Sequence, residues 1–301
     1  MLSPLDVSSD SISLIVGGLG NAVIFVLSGL EWSRTGIVSP YRTISCSMSL
    51  SNLAVTCLQL GQDILTRNML FRCIDLLGAS FLCFSLWMST ILYLYYCIKI
   101  GAGHSTVNAW LNIRFPAMLP YLIISFLGIS LLSSFTIIFM YLVSPSYNIS
   151  SVSAVNIENT TLNEDNINLI TYVQTAYGSL SFLMSSCLVG RILLSLYQHV
   201  HHVQSSEGGL RNVSLKAQYK AAKTVSALLV FNLIFLFSII ANFFTDDIDK
   251  LNWLYELSSI LICVSTSAQP FILILGNTKM KKEAKETFLH FLRKFVHFFQ
   301  I

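Results

Sequence analysis

The order of apolar and polar residues divides the chain into seven long hydrophobic segments separated by short polar stretches. A helix that crosses the hydrocarbon core of a bilayer needs roughly 17–25 predominantly apolar residues, and each segment is long enough. In lipid every backbone polar group needs an internal partner, so these segments are predicted to be helices. The predicted spans are residues 11–30, 43–65, 76–100, 117–143, 170–196, 225–244 and 254–275.

The residues after the seventh segment follow a different pattern, in which lysines alternate with large apolar side chains at helical spacing. The apolar positions are Phe288, Phe291, Leu292, Phe295 and Phe299. An amphipathic stretch directly after a span predicts a helix lying on the membrane surface. The predicted fold class is therefore an all-α membrane protein, a seven-transmembrane helix bundle with a short amphipathic eighth helix in the tail, residues 278–301.

The first segment contains small and polar residues that predict close helix packing. Gly17, Gly18 and Gly20 let neighbouring helix backbones approach each other, and Asn21 is expected to form a hydrogen bond to another helix. Composition supports the membrane assignment: 54% of the 301 residues are apolar and only 11% are charged. A soluble domain carries about 25% charged residues, so this composition excludes a soluble globular protein.

Basic residues predict the orientation of the bundle. With the N-terminus outside the cell, 14 of the 18 lysines and arginines fall in cytoplasmic segments, as the positive-inside bias requires. We therefore expect a multi-pass plasma-membrane protein with an extracellular N-terminus and a cytoplasmic C-terminus. The longest outer loop, about residues 144–169, then carries two acceptor sequons, which predict glycosylation at Asn148 and Asn159.

Motifs of enzymes and metal sites are absent from the sequence. It contains no nucleophile triad, phosphate-binding loop or pair of intramembrane carboxylates, so an enzyme is not expected and no catalytic residue is assigned. His199, His201 and His202 are close in sequence, but no carboxylate or cysteine nearby completes a metal site. The seven cysteines show no metal-ligand spacing either. No metal and no cofactor are expected.

Short motifs along nearly the whole chain resemble those of the type 2 taste receptors, the G-protein-coupled bitter taste receptors. The motifs follow the family's order and spacing: Leu19-Gly-Asn21, Trp32, Ser39-Pro40, Leu53-Ala54, Trp87-x-x-Thr90-x-Leu92, Tyr96-x-x-Lys99-Ile100, Trp110-Leu111, Ser195-Leu196-x-x-His199, Arg211, Lys216-Ala217, Ala221, Lys223 and Ile272-Leu273-Ile274-Leu275-Gly-Asn277-x-Lys279. Departures also occur. Cys57 replaces the family's second-helix arginine, and Gln269-Pro270 replaces the His-Ser of its seventh helix. Any internal network built on that arginine must therefore differ or be absent.

The resemblance implies a chemosensory receptor forming one domain over residues 1–301. It implies that bitter small molecules bind in the extracellular half of the bundle, that Trp87 and its neighbours line the pocket, and that a heterotrimeric G protein with a gustducin-like α subunit is activated. An alternative for Trp87 is that it anchors in the membrane interface or packs against a neighbouring helix. Glu256 is an ionisable residue at membrane depth, which either faces a cavity, where it meets a cationic ligand, or extends to the outer water. The candidate ligand-binding residues are Gln62, Trp87, Met88, Ile91, Tyr177, Phe235, Ile239, Asn242, Glu256, Ser259 and Ile260.

Candidate contacts with the G protein lie in the basic segments: Tyr96, Lys99, His104, His199, Lys216, Lys220 and Lys279. An alternative for the lysines is orientation of the chain and attraction to membrane lipids, above all anionic ones. Two other functions stay open at this point. One is a different heptahelical chemoreceptor, such as a type 1 vomeronasal receptor. The other, less favoured because no internal repeat is evident, is a transporter or channel.

Overall fold

The computed structural model describes residues 4–64, 69–101, 106–143, 158–204, 211–245 and 252–299, although not every side chain within these ranges. These residues form eight α-helices: α1 Pro4–Thr35, α2 Pro40–Ile64, α3 Met69–Gly101, α4 Thr106–Val143, α5 Glu158–Gln204, α6 Arg211–Thr245, α7 Asn252–Gly276 and α8 Thr278–Phe299. The predicted fold class is confirmed: the molecule is an all-α bundle of seven membrane helices followed by a short eighth helix.

The seven predicted spans coincide with α1 to α7, and the helices extend beyond the apolar segments. In the part of the chain that the structure describes, α1, α3, α4, α5 and α6 each contain a stretch apolar and long enough to cross a membrane. The residues of α7 reach this criterion only together with those of α8, across a bend of 105°.

Helix α2 corrects the expectation that every span is apolar in its own right, because it is missing from those membrane-spanning candidates. Its polar side chains Ser45, Ser49, Ser51 and Asn52 are all buried in the bundle. A helix whose polar residues face other helices does not expose them to lipid, so it can lie in a membrane with low overall hydropathy.

The seam between α1 and α7 confirms the close packing predicted from Gly17 and Gly20. It does not confirm it for Gly18, where an added Cβ atom would meet nothing within 4 Å in the described part of the chain. A Cβ atom at Gly17 would lie 2.8 Å from Ser267 Oγ, and one at Gly20 would lie 2.9 Å from Pro270 Cγ. The prediction that Asn21 forms a hydrogen bond to another helix is wrong. Its Nδ2 donates a hydrogen bond to Gly17 O of the same helix at 2.8 Å.

Helix α3 is the centre of the bundle and packs against α2, α4, α5 and α6. Its buried side chains Met88, Ile91, Leu92 and Tyr93 form the middle of the hydrophobic core. The core continues to Met280 of α8, which is fully buried. Helix α8 therefore packs against the same core as the membrane helices.

The corner between α7 and α8 is formed by Asn277. Its backbone N–H donates to Leu273 O at 3.3 Å, which extends the hydrogen bonding of α7. Its side-chain Oδ1 accepts hydrogen bonds from the backbone N–H groups of Lys279 and Met280, at 3.0 and 3.2 Å. An asparagine that accepts the first free amides of a helix is a favourable N-cap. We call the end of the bundle at which α8 lies, where α1 ends at Thr35, α2 begins at Pro40 and α7 ends at Gly276, the α8 end.

Candidate functional site

Trp87 of α3 forms an aromatic group with side chains of two neighbouring helices. Its ring stacks on Phe126 of α4 with a centroid distance of 4.4 Å and an interplanar angle of 16°. Tyr177 of α5 lies against it at 5.1 Å. Trp87 is only 7% exposed, so this side chain packs between helices near the middle of the bundle and is not an anchor in the membrane interface.

The indole nitrogen of Trp87 is the polar feature of this aromatic group. Nε1 is buried and has no hydrogen-bond acceptor among the described residues. An indole N–H can only donate, and leaving a buried donor unpaired costs free energy. An acceptor on a small molecule that enters between α3, α4 and α5 could therefore pair with it.

A small cavity lies between α2, α3, α6 and α7. Its volume is about 20 Å³, which is room for roughly one water molecule. Its walls are mixed apolar and polar, and are formed by Asn52, Leu82, Ser85, Leu86, Phe231, Asn232, Phe235, Ser265, Thr266 and Gln269. Asn52 Oδ1 and Ser265 Oγ are buried without a partner in the described structure, so the cavity offers unsatisfied polar groups.

A network of neutral side chains forms the floor of that cavity and connects three helices. Asn52 Nδ2 of α2 donates to Gln269 Oε1 of α7 at 2.6 Å. Ser85 Oγ of α3 donates to the same oxygen at 3.4 Å, and Gln269 Nε2 donates to Ser89 Oγ at 3.3 Å. Cys57, at the position of the family's arginine, is exposed on the surface of α2. The internal network therefore differs from an arginine-centred one, as the sequence indicates.

Further hydrogen bonds join α3 to α5 and α6 on the other side. Thr90 Oγ1 lies 2.9 Å from Ser181 Oγ and 2.8 Å from Ser185 Oγ. Asn232 Nδ2 of α6 donates to the hydroxyl of Tyr93, which is completely buried, at 3.1 Å. Ser51 Oγ of α2 donates to Phe81 O of α3 at 2.5 Å. Among the described residues, α3 thus has hydrogen bonds between uncharged groups to α2, α5, α6 and α7.

The structure brings some of the predicted ligand-binding residues together and separates one of them. Trp87 and Tyr177 are in contact, Met88 and Ile91 are buried in the adjoining core, and Phe235 lines the small cavity. Ile260 is 40% exposed and lies on the outer face of α7, on the side where Leu257 and Val264 are also exposed. The remaining candidates have side chains outside the described part of the structure: Gln62, Ile239, Asn242, Glu256 and Ser259.

A charged cluster at the α8 end is absent from the sequence-based predictions. Arg42 of α2 is 1% exposed and forms ion pairs with Glu31 of α1, at 3.2 Å, and with Glu283 of α8. Its Nη1 also donates to Leu27 O at 2.8 Å. Lys279 Nζ lies 2.7 Å from Glu31 Oε1. From the sequence, Arg42 counts only among the basic residues that predict orientation, and Lys279 is also a candidate G-protein contact. In the structure the two side chains connect α1, α2 and α8.

The predicted G-protein contacts occupy different environments at the α8 end. Tyr96 is partly buried, with its ring edge-to-face against Tyr41 at 6.0 Å. Lys99 is exposed above the ring of Tyr95, Lys220 is half-buried, and Lys279 is exposed apart from its ion pair. His104 and the side chains of His199 and Lys216 lie outside the described residues, as do Asn148 and the side chain of Asn159.

Comparison with known proteins places the chain in a family. The model of the family described as "Taste receptor protein (TAS2R)" matches residues 9–292. Taste receptor type 2 member 116 of Rattus norvegicus is 22% identical over 294 residues, covering 90% of this chain and 86% of its own length. Taste receptor type 2 member 7 of Mus musculus is 25% identical over 288 residues and 89% of both chains. The resemblance seen in the motifs is confirmed, and the chain belongs to the taste receptor type 2 family.

Proposed function

We propose that the protein is a G-protein-coupled receptor for bitter small molecules. The observation that carries this proposal is the family match over residues 9–292, which extends from α1 into α8. The agonist binds in the half of the bundle opposite the α8 end, and the G protein binds at the α8 end. The N-terminus is extracellular and the C-terminus cytoplasmic, in the plasma membrane, in agreement with the positive-inside bias.

The aromatic group around Trp87 supports the proposed ligand site. Small-molecule pockets are largely apolar and contain a few polar groups that orient the ligand. The rings of Trp87, Phe126 and Tyr177 provide apolar contact area, and the unpaired Trp87 Nε1 provides a donor. The small cavity at Phe235 forms the inner end of the site. Glu256 and Asn242, near the outer ends of their helices, are proposed to add polar contacts to the ligand.

The neutral network beneath this site is proposed to connect ligand binding to the α8 end. An agonist shifts the population toward the arrangement that it binds more tightly. Gln269 is hydrogen-bonded to both α2 and α3, so a displacement of α3 at Trp87 changes its contacts with α7. A change of this kind alters the surface formed by Tyr96, Lys99 and Lys220, which we propose contacts a gustducin-like G protein.

The test is agonist-dependent calcium release in cells that express the full chain with a promiscuous G protein. A panel of bitter compounds should produce a response in the wild type. Trp87→Ala should reduce agonist potency on the order of tenfold, because a buried tryptophan is a typical binding hot spot. Trp253→Ala is the matched control, since Trp253 is 61% exposed on the same half of the bundle, and it should retain the wild-type response.

Two results would contradict the proposal. One is the absence of any response to bitter compounds at normal surface expression. The other is a response confined to volatile or pheromone-like compounds, which would favour a vomeronasal-type receptor. Unchanged potency of Trp87→Ala alongside a robust bitter response would instead remove only Trp87 from the ligand site.

A further inference from the structure

A second and larger cavity lies on the side of the bundle, between α3, α4 and α5 and toward the α8 end. Its volume is about 280 Å³. Helices α4 and α5 both pack extensively against α3 but hardly contact each other, which leaves a groove between them. Leu194 lines this groove and is 62% exposed. The groove therefore opens sideways to the membrane-facing surface.

The polar side of the groove is formed by Arg191 of α5, together with Asn108, Ser195 and Gln198. Arg191 lies inside the apolar stretch Thr175–Gln198 and is exposed. No carboxylate forms an ion pair with Arg191 within the described residues. The contrast with Arg42 is direct, since Arg42 is buried against two glutamates.

An exposed arginine at this depth is stabilised by an anionic partner or by reaching the membrane interface, and a lipid phosphate provides both. A cation in the apolar region of a bilayer is costly unless it pairs or reaches the interface. Arg191 lies seven residues before Gln198, where the apolar stretch ends, which corresponds to about 10 Å along the helix. The flexible side chain can reach from there to the level of the lipid headgroups. A guanidinium group binds phosphate through two parallel hydrogen bonds.

We propose that this groove is a binding site for the headgroup of an anionic phospholipid. The phosphate pairs with Arg191, the neutral side chains of Asn108 and Gln198 contact the headgroup, and an acyl chain lies along Leu194. The lateral opening favours a lipid over a ligand from the aqueous phase. The proposal rests on the cytoplasmic orientation of the α8 end, since anionic lipids are concentrated in that leaflet.

Cys97 provides a reporter in the groove itself. Its thiol lines the cavity, whereas Cys187 is exposed on the surface of α5, one helical turn before Arg191. The purified full-length receptor in detergent is alkylated with a maleimide, and each cysteine is followed by peptide mass spectrometry. Short-chain phosphatidylserine should slow the alkylation of Cys97 several-fold and leave that of Cys187 unchanged. Phosphatidylcholine of the same chain length and inorganic phosphate should have little effect on either.

Arginine variants test the role assigned to Arg191. Arg191→Gln should weaken protection of Cys97 by phosphatidylserine by about tenfold, as expected for the loss of a charge-assisted hydrogen bond. Arg191→Lys should retain part of the protection. Arg34→Gln removes an exposed arginine at the end of α1 and should behave as the wild type.

Three results would overturn the proposal. Equal slowing at Cys97 and Cys187 would indicate unspecific lipid contact. Protection by inorganic phosphate alone would indicate a site for soluble anions. Full protection of Cys97 in Arg191→Gln would show that the arginine does not bind the lipid. If Arg191→Gln does not fold, the comparison of Cys97 with Cys187 in the wild type still shows whether the lipid occupies the groove. The assay needs neither agonist nor G protein, so its outcome is distinguishable from failure of the proposed receptor function.

Discussion

The helices are joined by different polar groups at the α8 end and in the middle of the bundle. At the α8 end, α1, α2 and α8 are joined by charges, with Arg42 between Glu31 and Glu283. In the middle, α2, α3 and α7 are joined by neutral groups, with Gln269 between Asn52 and two serines. Charged groups are costly deep in a bilayer and less so near its interface. The type of polar contact therefore follows its depth in the membrane.

The difference also teaches which part of the receptor can rearrange. Losing one partner of a buried ion pair leaves an uncompensated charge, which costs several kcal/mol. Exchanging one neutral hydrogen bond for another costs far less, because each contributes only about 0.5–1.5 kcal/mol net. We therefore expect the ion pairs of Arg42 to persist, while the contacts of Gln269 change between receptor states.

The largest effect is expected for Arg42→Met, which leaves Glu31 and Glu283 without their shared partner. The free energy of unfolding should fall by about 3–5 kcal/mol. The measurement is the thermal stability of the purified receptor, together with its surface expression. Arg34→Met is the matched control, because Arg34 is exposed near the same end of α1, and it should change stability little.

A combined variant sharpens this test. Adding Glu283→Gln to Arg42→Met removes the carboxylate that has lost its cation and should restore part of the lost stability, because Glu31 keeps its ion pair with Lys279. Wild-type stability in Arg42→Met alone would show that the cluster does not hold the α8 end together.

A smaller effect is expected in the middle of the bundle, for Gln269→Leu. Asn52 Nδ2 then loses its acceptor while remaining buried, and stability should fall by about 1–3 kcal/mol. Because the two side chains are in contact, the double variant Asn52→Leu/Gln269→Leu should lose less than the sum of the single variants. Thermal unfolding of all four proteins measures the coupling. Strictly additive losses of stability would contradict a hydrogen bond between Asn52 and Gln269.

The smallest effect is expected for Lys279→Gln, because this side chain is 64% exposed. An exposed ion pair contributes about 0.2–1 kcal/mol and is weakened by salt. Thermal stability should therefore decrease slightly at low ionic strength, and the difference should vanish at high salt. Lys282→Gln is the control, because Lys282 is 80% exposed and its ion pair with Glu286 is long, at 3.9 Å. A loss comparable to that of Arg42→Met would mean that Lys279 holds α8 as strongly as Arg42 does.

Much of the fold could be predicted from the sequence because hydropathy acts over long segments. Helix α8 follows from its amphipathic pattern. Close packing of α1 follows from Gly17 and Gly20, but its partner α7 does not. Helix α2 was identified as a span although its polar residues keep it below the apolar criterion. Its burial depends on which way Ser49 and Asn52 face, which is set by the other helices and not by local pattern.

The candidate sites were less predictable because they depend on pairs far apart in the chain. Asn52 and Gln269 are separated by 217 positions, and Arg42 and Glu283 by 241. The sequence does not indicate that Phe126 stacks on Trp87, since a phenylalanine in an apolar run is equally suited to face lipid. Ile260 is a candidate because it is close to Glu256 in the sequence, but the rotation of α7 turns its side chain outward. Without a partner, spacing within one helix does not fix that rotation.

The corner at Asn277 makes α8 a lever. The helix has 22 residues, so it is about 33 Å long, yet its direction is set within one turn by the Asn277 cap and the buried Met280. A tilt of about 10° at that corner would displace the far end of such a helix by about 6 Å. Small adjustments where α7 ends are thus amplified along the membrane surface, far from the side chains that cause them.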